Sequence, residues 1–133
     1  MSPSVLELLA QQWDHMASRA LEMQEISLEQ IRQMLCYTYE ALTAYHKDAL
    51  VPKEILLMLQ NMDEFLQYAS PEGDDEGIMT FEQFQVIYCV AETLKKGFFR
   101  GEYPCTFPVL EFSDLLGNCL ELDLENGSLE ELL

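Results

Sequence analysis

The chain has 133 residues, 49% of them hydrophobic, and a formal net charge of −17 from 24 acidic and 7 basic side chains. That hydrophobic share suits one domain, 1–133, with a real core, and it excludes wholesale disorder, which needs low hydrophobicity with high charge. The charge disfavours direct contact with nucleic-acid phosphate or anionic lipid, both of which select Lys and Arg, and favours a basic protein surface as partner.

The first apolar stripe is Leu6, Leu9, Trp13, Met16, Ala20, Met23, at the three- and four-residue spacing of one helix face. Ser2 followed by Pro3 suits an N-cap with proline at the first helical position. A second stripe, Leu28, Ile31, Leu35, Thr38, Leu42, Tyr45, opens behind Ser27 and Gln30, the residue types of a capping box. It is sustained over nearly three heptads, so it suits either a bundle core or a homodimer seam. The third stripe, Ile55, Leu59, Met62, Leu66, Ala69, lies between Pro52, which can open a helix, and Ser70-Pro71, which closes it because the residue before proline resists helical geometry. Short joints near 24–26 and 48–51 predict antiparallel neighbours.

Between the third and fourth stripes stands EGDDEGIMTFEQF, residues 72–84. With Gly77 as the sixth position of a calcium loop, Glu72, Asp74 and Glu76 take positions one, three and five, and Thr80 takes position nine. The local GIMTFEQF resembles the exit of an EF-hand into its second helix. The departures are Glu72 in place of Asp, Gln83 where a bidentate Glu should close the shell, Pro71 in the incoming helix, and no second copy. Thr80 and Gln83 also read as a capping box. An acidic inter-helix loop is the primary reading, and a divalent-cation site at Glu72, Asp74, Glu76 and Thr80 is the alternative.

The fourth stripe is Phe84, Ile87, Ala91, Leu94, Phe98. It runs into KKGFFRG, residues 95–101, the basic island in a chain whose residues 55–94 hold eight acids and no base. Lys95, Lys96 and Arg100 match the helix dipole at that end. Phe98 continues the stripe, so Phe99 points elsewhere and is a candidate aromatic anchor rimmed by charge.

After about residue 100 the helical core gives way to an acidic appendage, 101–133. YPCTFP is a connector, VLEFSDLLGN suits a short helix ended by Gly117 or Asn118, and alternation in LELDLENG predicts an extended stretch near 119–125. Leu120, Leu122 and Leu124 alternate with acids and are candidates for engaging a groove. The terminal LEELL resembles the LxxLL helix of coactivators.

Catalytic and metal patterns are scarce. Cys36, Cys89, Cys105 and Cys119 form no C-x-x-C pair, and Gln12 and Thr43 stand three residues before His15 and His46, where a di-iron bundle would place Glu. Neither a phosphate loop nor a dinucleotide fingerprint is present, so no cofactor is implied. The thiols read as reduced and mostly buried, in an intracellular setting without a membrane span. The expectation is an all-α, four-helix bundle-like core with an irregular C-terminal segment. Its expected role is a non-enzymatic, acidic protein-binding module, such as an adaptor, inhibitor or chaperone-like factor. Mimicry of nucleic-acid charge is one version of that role. Partner contacts are expected at Lys95, Lys96, Phe99, Arg100, Leu120, Leu122 and Leu124.

Overall fold

Local chemistry starts and stops each helix. The computed structural model describes residues 3–24, 26–45, 50–70, 79–100 and 109–120. Helix α1 (Pro3–Leu21) begins on the proline. It ends where the Met23 N–H bonds the Ala20 carbonyl at 3.0 Å and the Gln24 N–H reaches back to Arg19 at 2.8 Å. This closure puts Met23 at φ 58°, a left-handed position that usually belongs to glycine and costs a Cβ-bearing residue about 1–2 kcal/mol.

Helix α2 (Leu28–Tyr45) opens on Ser27, whose hydroxyl accepts the Gln30 N–H at 3.1 Å. Helix α3 (Lys53–Ala69) lies between Pro52 and Ser70, both in extended backbone. Helix α4 (Phe81–Arg100) carries the capping box that its sequence predicts. The Gln83 N–H donates to the Thr80 hydroxyl at 3.2 Å, and the Thr80 N–H donates to the Gln83 side-chain carbonyl at 3.0 Å. Thr80, the one side chain of the cation alternative that falls on described residues, is thus spent on a helix start. Glu72, Asp74 and Glu76 lie outside the described residues.

The protein is all-α, with a bundle-like core, but two expectations about its C-terminal part change. Helix α5 (Val109–Leu120) runs through Gly117 and Asn118, so Cys119 and Leu120 are helical where an extended stretch was expected. Phe112, Leu116 and Leu120 form one buried stripe at four-residue spacing, and the Phe112 ring stacks on Tyr39 at 4.4 Å. Burying that stripe outweighs the roughly 1 kcal/mol cost of an internal glycine. Residues 121–125 lie outside the described residues.

Packing departs from chain order. Helices α1 and α3 pair most extensively, α2 pairs with α5, and the consecutive α2 and α3 scarcely meet. The α1–α3 seam is close because α1 supplies buried Ala10, Ala17 and Ala20. Asn61 of α3 donates across it to the Ala10 carbonyl at 2.9 Å, and Trp13 meets Phe65 at 5.5 Å. Helix α2 is buried nearly all round, from Ile31 and Arg32 through Met34–Tyr39 to Leu42, so its stripe is consumed inside the chain and leaves no free dimer seam. Arg32 enters that interior with its charge met by a bidentate pair to Glu29. The Glu29 hydrogen bonds raise the Arg32 pKa against the opposing effect of burial. Among the described residues no helix is long and apolar enough to cross a membrane.

Candidate protein-docking face

Helix α4 is apolar on two sides. Ile87, Ala91, Leu94 and Phe98 face the core. About a quarter-turn round the helix Phe81, Phe84, Tyr88 and Phe99 share a row with Glu92 and Lys95, at the same three- and four-residue spacing. Phe81 is 57% exposed, Tyr88 46% and Phe99 60%, whereas Phe84 is half-buried at the edge of the core. The Phe84 and Tyr88 rings meet at 5.9 Å, so the row is continuous for about one turn there.

Beside this row α3 and α4 enclose an open groove of ≈ 480 Å³. One wall is Asp63, Leu66, Gln67 and Ser70; the other is Phe84, Tyr88, Glu92 and Lys95. Its chemistry is an aromatic and aliphatic floor with two carboxylates and one ammonium at one end. The Lys95 Nζ donates to both oxygens of Asp63, at 3.0 and 3.2 Å, and to Glu92 at 3.2 Å. Partial burial lowers the Lys95 pKa, but the hydrogen bonds to Asp63 and Glu92 outweigh it and the net shift is upward.

The residues expected to bind a partner separate into distinct groups. Phe99 stands out from α4 while Phe98 is buried, as their spacing predicts, and the two rings meet edge to face at 5.8 Å. Lys96 and Arg100 are exposed beside Phe99. Lys95 is not a free surface cation, because it bridges α3 and α4. Leu120 is buried in the bundle and offers nothing to a partner, since it completes the α5 stripe. Leu122 and Leu124 lie outside the described residues. Thiol burial also differs from expectation: Cys36 is buried, but Cys89 and Cys119 are exposed on α4 and α5.

Sequence reasoning missed Phe81, Tyr88, Asp63 and Glu92, and it assigned Phe84 wholly to the core. A signal was there: Phe81, Phe84 and Tyr88 make a second stripe offset from Ile87, Ala91 and Leu94. Asp63 has no such signal, because only the tertiary fold brings it to Lys95. A smaller groove of ≈ 340 Å³ between α1 and α3, lined by Glu7, Gln11, Asp14 and Leu57, lacks aromatic side chains.

Comparison with protein-family models, with curated proteins and with solved structures found no significant match.

Proposed function

We propose that this chain is a non-enzymatic, acidic protein-binding module that engages a basic protein surface through the outward face of α4. The observation that carries this reading is the row of exposed aromatics on a helix whose other side is anchored in the core. Rigid aromatic anchors are what protein interfaces concentrate near their centres. Covering the exposed parts of Phe81, Tyr88 and Phe99 removes about 100 Å² each from water, roughly 7 kcal/mol in all at ~25 cal/mol per Å². Association costs of similar size leave little net affinity from that area alone, so complementary charge decides which partner is held. A net charge of −17 speeds encounter with a basic surface and repels acidic ones.

Affinity capture at low salt from nuclease-treated native extract tests the reading, with the wild-type chain beside Phe99→Ser and Tyr88→Ser. The expected result is one stoichiometric basic protein on the wild type, depleted on both variants, with an association rate for the purified pair that falls steeply as salt rises. Equal recovery on all three chains, or a salt-insensitive association rate, refutes it.

A further inference from the structure

The groove between α3 and α4 has a feature that a general acidic surface lacks. Its Asp63 and Glu92 carboxylates converge on one cation, and that cation, Lys95, is the chain's own. We propose that the groove receives a basic amphipathic helix of the partner, and that Lys95 holds the place of a partner cation at Asp63 and Glu92. This rests on the function proposed above and names the occupant of its site.

The dimensions suit such a segment. From Phe84 to Lys95 the α4 wall spans roughly 16 Å at 1.5 Å per residue, about three helical turns. A volume of ≈ 480 Å³, open along its length, accepts a few apolar side chains projecting from one helix face. The charge excludes other occupants. A second copy would bring another −17 to an acid-rimmed groove. The chain's residues 121–133 and 71–78 contain five and four acids and no base, so neither supplies the cation. Lys96 and Arg100, exposed further along α4, reject a cation there and so fix the partner's basic end at Asp63 and Glu92.

The test measures anisotropy of a labelled model peptide of about 16 residues against the full chain at low salt. The peptide has leucines at i, i+4, i+7 and i+11 and lysines elsewhere, and a scrambled peptide of the same composition is the control. The patterned peptide is expected to bind at least tenfold more tightly than the scrambled one. Tyr88→Ser is expected to weaken it roughly tenfold, and Asp63→Asn with Glu92→Gln to weaken it by a similar factor. Lys95→Met, which frees both carboxylates, is expected to tighten it several-fold. Circular dichroism of each variant separates lost binding from lost folding; Tyr88 is half exposed and its replacement leaves the core intact.

Equal affinity for patterned and scrambled peptides overturns the groove while leaving the acidic-surface reading standing. Absence of binding by either peptide overturns the groove too, and a failed capture experiment besides removes the function proposed above. Concentration-dependent dimerisation abolished by Tyr88→Ser would make a second copy the occupant. If the peptide binds only after Leu122 and Leu124 are changed to Ser, the occupant is the chain's own C-terminal segment. Either result refutes the proposal.

Discussion

At the scale of single residues, the interior is held in register by polar groups whose partners are spoken for. The Trp13 indole N–H donates to the Thr38 hydroxyl at 2.9 Å, and that hydroxyl donates in turn to the Met34 carbonyl at 2.8 Å, all of it buried. The chain of bonds ties α1 to α2, two helices whose backbones come close at few points. Thr38→Val keeps the volume and removes the hydroxyl, leaving the indole N–H without its partner in an apolar setting. A stability loss of about 1–3 kcal/mol is expected, read from the midpoint of urea unfolding at constant slope. Thr38→Ser, which keeps the hydroxyl, is expected to lose less. A valine variant as stable as the wild type would mean that the bond contributes nothing net.

At the scale of elements, the α3–α4 contact depends on Lys95. Its folded pKa is raised, so its contribution to stability is complete below the ordinary value near 10.5 and is lost as pH rises through the folded value. Unfolding followed from pH 8 to 11.5 is therefore expected to show a gap between wild type and Lys95→Met that is constant up to about pH 10 and then closes. At neutral pH that gap is about 0.5–1 kcal/mol, as for a partly exposed pair. A gap independent of pH would assign the effect to the lysine's methylene packing. The elements also show what a sequence can and cannot disclose. The starts of α2 and α4 were legible because Ser27, Thr80 and Gln83 act within one turn. The run of α5 through Gly117 was not, because its justification is Tyr39, on another helix. The partner of Lys95 was hidden for the same reason: Asp63 is 32 residues away.

For the whole molecule, the charge of −17 acts in two opposed ways, and one variable separates them. Unlike a paired network, an excess of carboxylates repels itself in the compact state, so it opposes folding while it promotes encounter with a basic partner. Raising sodium chloride from about 0.01 M to 0.5 M shortens the Debye length from about 30 Å to under 5 Å and screens both effects. Thermal stability of the free chain is expected to rise by several degrees over that range, since about 1 kcal/mol moves the midpoint by roughly 3–5 °C at this size. Affinity for the basic helical peptide is expected to fall over the same range, mainly through the association rate. The two slopes must have opposite signs if one diffuse field produces both. A midpoint that drops with salt would mean that attractive pairs such as Lys95 with Asp63 outweigh the excess, and binding that ignores salt would leave the aromatic row of α4 to act alone.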